Sequence, residues 1–187
     1  MKNFIINNLA LLAILLFLMS CSNDDIPVHI HDHDAIHELV LMQTDVNGEN
    51  PVRYEFIHGN PTGDLIQLVS GQTYNFEIVE LNVEHDNHYH NIINEVLEAI
   101  EEHFFLYSKS SSLDIELVRM DNEDAIQNDG THIGLKTRIT ANTVSQGNLQ
   151  IELKHQSSEI NDQSNDNFGS VIGGATDVLA IFPVIIE

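Results

Sequence analysis

The residues best placed to do chemistry are histidines. Four of the chain's eleven fall within "VHIHDHDAIHE" (Val28 to Glu38), namely His29, His31, His33 and His37. Three more, His85, His88 and His90, fall within "VEHDNHYHN". A neutral imidazole offers one ring lone pair and suits zinc, copper(II) or nickel(II). In an extended chain, residues two apart project to one side. His29, His31 and His33 would therefore share a side, with Asp32 and Asp34 on the other. An H-x-H pair can set two nitrogens on one ion, since zinc–nitrogen bonds are about 2.0–2.1 Å long. The expectation is a binder of a divalent transition metal, zinc first. Its ligands are His29, His31, His33, His37, His85, His88 and His90, with further donors at Asp32, Asp34, Glu84, Asp86 and His103. The plainer alternative is a hydrophilic spacer followed by lone surface histidines.

His103 stands apart, near the end of a helical pattern. It suits a hydrogen bond to the last helix carbonyls, or a metal site shared with Glu98 or Glu102. His58, His132 and His155 are isolated in sequence and receive no role. The acid-rich stretches "TDVNGEN" and "DNEDAIQNDG" lack the twelve-residue calcium loop and read as turns. Catalysis has little support, although histidines with acids could assemble a hydrolytic zinc centre. There is no G-x-S-x-G and no H-E-x-x-H, and "GSVIGG" lacks the lysine and hydroxyl of a phosphate loop. The expectation is not an enzyme.

Charge narrows the partners. The chain has 29 acidic and 7 basic residues, a formal net charge of −22. Such a surface repels nucleic acid and anionic lipid and draws cations.

The elements that must hold these residues begin with a leader. Lys2 precedes an apolar run, Leu9 to Met19, about the length of a signal-peptide core and short for a membrane span. It ends in Leu18-Met19-Ser20-Cys21, which looks like a bacterial lipobox, and Cys21 is the only cysteine. The expected organisation is a lipoprotein signal peptide over 1–20, then acylated Cys21 (a palmitate-type modification) opening a His/Asp-rich tether over 21–36. A folded domain follows over 37–187. Each buried CH2 of an acyl chain would contribute roughly 0.8 kcal/mol to the anchor.

Within 37–187 the dominant pattern has period two. "HELVLMQTDV", "VRYEFIH", "TYNFEIVEL", "LDIELVRM", "IGLKTRIT", "NLQIELKH" and "DVLAIFPVII" each alternate apolar with polar residues. That predicts seven or so strands in sheets with one buried face. Pro183 in the last of them predicts an edge or a bulge. One segment breaks the period. In "NIINEVLEAIEEHFF" apolar residues recur three and four apart, which predicts an amphipathic helix of about three turns over 91–104. "QSSEINDQSNDNFGSVIGG" predicts a long loop. The expected fold is mainly β, an antiparallel β-sandwich of Ig-like or Greek-key type with one amphipathic crossover helix.

The leader "CSNDD", the helix end "EAIEEHFF", the segment "GNLQIELKHQ" and the terminal "GGATDVLAIFPVII" resemble a group of small Bacteroidetes outer-membrane lipoproteins. These are predicted to accompany TonB-dependent receptors. The resemblance covers most of the chain after Cys21. It implies an outer-membrane place, with Ser22-Asn23-Asp24-Asp25 resembling a surface-export signal. The receptor is then the implied partner, to which a bound metal would be passed. The alternative in a different class is a metal-free module docking on such a receptor or on a surface polymer.

Overall fold

The computed structural model describes residues 35–85 and 88–187. Cys21, His29, His31, His33, Asp32, Asp34 and Asp86, with the signal peptide and nearly all of the tether, lie outside the described residues. The described chain is two packed sheets joined by one short helix, the sandwich-like arrangement expected from the alternation.

The first sheet contains β1 (Ile36–Asp45), β2 (Val52–Ile57), β4 (Thr73–His85), β7 (Ile115–Arg119) and β8 (Lys136–Ala141), in the order β2-β1-β4-β8-β7. β5 (His88–Asn91) pairs with the far end of β4. The second sheet contains β3 (Ile66–Leu68), β6 (His103–Lys109), β9 (Ser145–His155) and β12 (Ala175–Ile186), in the order β3-β12-β9-β6. β3 and β12 run parallel, so this sheet is mixed rather than antiparallel throughout. The expected polar loop carries a small ribbon of its own, β10 (Glu159–Asn161) with β11 (Ser170–Ile172).

The core follows from the period. Phe76 and Ile78 of β4, Ile115 and Leu117 of β7, Leu149, Ile151 and Leu153 of β9, and Phe182 and Val184 of β12 are all buried. Burying one such side chain contributes about 1.5–3 kcal/mol. Phe56 and Phe182 meet edge to face across the two sheets at 6.5 Å. Pro183 marks no bulge, but it does stand where one side of β12 has no strand partner. Ile181 O accepts Gly63 N–H, so odd-numbered residues of β12 face that side. The nitrogen of Pro183 points the same way, just before β3 starts pairing at Val184. The bulge of β12 lies instead between Thr176 and Val178.

The helix is shorter than expected. α1 covers Ile93–Glu98, a 3-10 turn follows over Ile100–Glu102, and the chain is a strand again from His103. The reason lies in two adjacent phenylalanines. Phe104 and Phe105 are both fully buried. Neighbours in a helix diverge by about 100°, whereas a strand sends them to opposite faces. Phe105 enters the main core, and Phe104 lies under the Arg119 guanidinium, 4.3 Å from ring centre to carbon. α1 still links the two sheets, packing through buried Val96 with Ile92, Ile93, Leu97 and Ile100 beside it.

Arg119 closes the open side of the sandwich. Its guanidinium donates to the carbonyls of Phe105, Phe168, Asn167 and His132. Buried Asp121 accepts from the amides of Gly134 and Lys136 close by. Gly134 has φ +89°, and a Cβ there would fall 2.0 Å from Arg119 Nη1. Glycine meets both demands.

Candidate metal centre

Three strand ends converge at one corner of the second sheet. His103 opens β6, His155 closes β9 and Asp177 stands near the start of β12. The register places His103 directly opposite His155, and His155 opposite Ala175. Asp177 is the residue skipped by the shift between Thr176 and Val178. A bulge of this kind re-aims a side chain. The strand before it starts from Gly174 at φ +80°, where a Cβ would come within 2.8 Å of His155 O. The ligand atoms of His103, His155 and Asp177 all lie within 4.8 Å of one another, and this trio could hold a metal ion.

Hydrogen bonds suggest which nitrogens would serve. His103 Nδ1 lies 2.9 Å from Ala99 O, which can only accept. The ring proton therefore sits on Nδ1 and the lone pair on Nε2. His155 Nε2 lies 3.1 Å from Glu102 Oε2. A proton there leaves the lone pair on Nδ1, the nitrogen 4.0 Å from Asp177 Oδ1. Each imidazole thus has one nitrogen turned to an orienting oxygen and one for an ion, the usual pattern of a metal-binding histidine. The rings stack nearly parallel, 7° apart with centres 4.8 Å from each other. Donors on one tetrahedral zinc stand roughly 3.3 Å apart, given bond lengths of about 2.0–2.1 Å. Binding would draw the trio inward and tilt one ring.

Burial favours the neutral form of His103. It pushes the pKa below the ordinary histidine value and outweighs the opposing Ala99 hydrogen bond. Glu102 also accepts from Gln156 Nε2 at 3.0 Å, which steadies the carboxylate that orients His155. Buried Gln127 donates to the carbonyls of Ile100 and His103, holding the turn before β6. Two imidazoles and one carboxylate suit zinc or a neighbouring transition ion and leave a position for an exchanging ligand.

The expected ligands fall in different places. His103 belongs to the trio and also makes the carbonyl bond expected of it. Its partner is His155, 52 positions away and given no role by sequence, and Glu102 orients His155 rather than joining His103. Glu98 lies outside the trio. His85, His88 and His90 do not form a loop ahead of a helix but an exposed hairpin. His85 stands opposite His88, and His90 opposite Val83, so the three share a face. Glu84 pairs across to Tyr89 and so takes the other face. His90 Nε2 contacts Glu95 Oε1 at 2.8 Å. The His37 ring lies 5.2 Å from that of Tyr89. Among the described residues, His103, His155 and Asp177 form the one group of three potential ligands close enough to share an ion.

No protein-family model, no curated protein and no solved structure matches this chain.

Proposed function

We propose that this protein binds a divalent transition metal, zinc in the first place, through His103 Nε2, His155 Nδ1 and Asp177. The observation that carries the reading is the convergence of two imidazoles and a carboxylate. A ligand atom of each lies within 4.8 Å of the others, while Ala99 O and Glu102 each face one ring nitrogen as acceptors. Three protein ligands and an open position favour exchange over permanent storage. The acidic surface concentrates cations, and exposed His85 and His88 offer a weaker first contact.

We further propose a place and a partner. Cys21 carries the lipid anchor of an outer-membrane lipoprotein displayed at the cell surface, and the metal passes to a TonB-dependent receptor. The lipobox-like Leu18-Met19-Ser20-Cys21 and the leader "CSNDD" support the place. The histidines of "VHIHDHD" lie between that anchor and the domain and extend the set of capture ligands.

Zinc titration of the full chain by calorimetry at pH 7.5 tests the reading. One site of higher affinity is expected, lost in Asp177→Asn and in His103→Gln. A separate weaker class is expected to disappear on replacing His85, His88 and His90 together. Unchanged affinity and stoichiometry in the first two variants would overturn the assignment.

A further inference from the structure

The two strands that flank the open side of the sandwich differ in how their outer edges are used. β6 is closed. Its Phe105 N–H donates to Ile133 O at 2.7 Å, and its Tyr107 N–H to Phe168 O at 3.1 Å. Arg119 Nη2 then takes Phe105 O at 2.9 Å. β7 is open: among the described residues it pairs with β8 alone. Two bonds fix which of its amides face β8. Met120 N–H donates to Lys136 O at 2.8 Å, and Asn142 N–H to Asp114 O at 3.0 Å. Even-numbered residues therefore point their backbone groups at β8, and Ile115, Leu117 and Arg119 point theirs away. A row of unpaired donors and acceptors of this kind is a template for another strand.

Over Asp114 to Val118 that edge faces a cleft of about 830 Å³, lined also by Tyr107 to Lys109 of β6, by Asn142 and by residues 165–168. The lining is acidic. Asp114, Glu116 and Asp166 contribute carboxylates against a single lysine, Lys109. The Lys109 ammonium is already turned to Leu113 O at 2.6 Å. Exposed Val118 adds an apolar surface beside Glu116. A second copy of this chain would bring the same acidic strand and a further net charge of −22. Charge therefore disfavours self-pairing and favours a cationic strand.

We propose that the outer edge of β7 accepts an extended, basic segment of a partner protein as an added strand. Backbone pairing to Ile115, Leu117 and Arg119 supplies the attachment, and lysine or arginine side chains at alternate positions meet Glu116 and the acidic wall of the cleft. This inference does not depend on the metal reading, and its test is run with a chelator present.

The probe is a fluorescein-labelled ten-residue peptide of alternating lysine and valine, titrated into the full chain and followed by anisotropy and amide exchange. On binding, the amides of Ile115, Leu117 and Arg119 should become slow to exchange. Those of Glu116 and Val118, already bonded to β8, should change little. Glu116→Lys combined with Asp166→Asn leaves the buried face untouched and should weaken binding about tenfold or more. A peptide N-methylated at alternate residues should fail to bind. Equal binding of the N-methylated peptide, or slowing confined to other amides, overturns strand addition. Slow exchange of the same three amides without peptide, with dimers in sedimentation, would assign the edge to a second copy and overturn the basic partner.

Discussion

Glu102→Gln is the substitution that most directly probes the logic of the proposed metal centre. Glu102 is not expected to touch the ion. It holds His155 through Nε2 at 3.1 Å and so places the lone pair on Nδ1. Glutamine has the same shape, but its amide N–H₂ can donate to Nε2. The ring proton would then move to Nδ1, the nitrogen the metal needs. Loss of such an orienting carboxylate typically costs 10–100-fold in metal affinity, or about 1.4–2.7 kcal/mol. The cost to the metal-free fold should be small. The Glu102 side chain is 36% exposed, and an exposed pair contributes roughly 0–1 kcal/mol. The assay is competition for zinc against a fluorescent chelator at pH 7.5, with urea unfolding in chelator as the control. Nitrogen chemical shifts of His155 would report the tautomer. Zinc affinity within twofold of wild type, with unaltered stability, would refute the role given to Glu102 and the choice of Nδ1 as ligand.

Two further outcomes follow from burial. His103 has its pKa lowered by burial, so the folded state resists protonation there more than the unfolded state does. In chelator, stability should hold above about pH 6.5 and fall as pH drops toward the depressed value, at up to about 1.4 kcal/mol per pH unit. His103→Gln should flatten that slope in urea titrations across this window; an identical slope would show that other groups set it. Val96→Asp should destabilise the domain by roughly 3 kcal/mol or more, because a carboxylate would enter the one fully buried contact of α1. Leu97→Asp, only partly buried, should cost less, and chemical denaturation compares the two.

Much of the architecture was legible because alternation is a local property. Tyr54 and Phe56, Phe76 and Ile78, and Leu149, Ile151 and Leu153 each announce a buried face over a few residues, and the structure buries each set. The 91–104 segment was legible in kind but not in extent. Its three-and-four spacing marks a helix, yet Phe104 and Phe105 go to two different surroundings, the Arg119 guanidinium and the main core, and a strand sends neighbours to opposite faces. The exposed hairpin at His85 and His88 was hidden for the opposite reason: without an apolar face of its own, it carries no periodic signal.

The candidate site divides in the same way. Sequence alone offered His103 as a ligand or a carbonyl partner, because both follow from its place after a helical segment. It could not join His103 to His155 or to Asp177. Period two states which face a residue takes, but not which strand lies beside it or in what register. Those are settled by the long-range packing that sets β6 and β12 on either side of β9. Only then do the start of one strand, the end of a second and the bulge of a third arrive at one corner, where His103 meets two residues given no role by sequence in a group that could hold a metal ion.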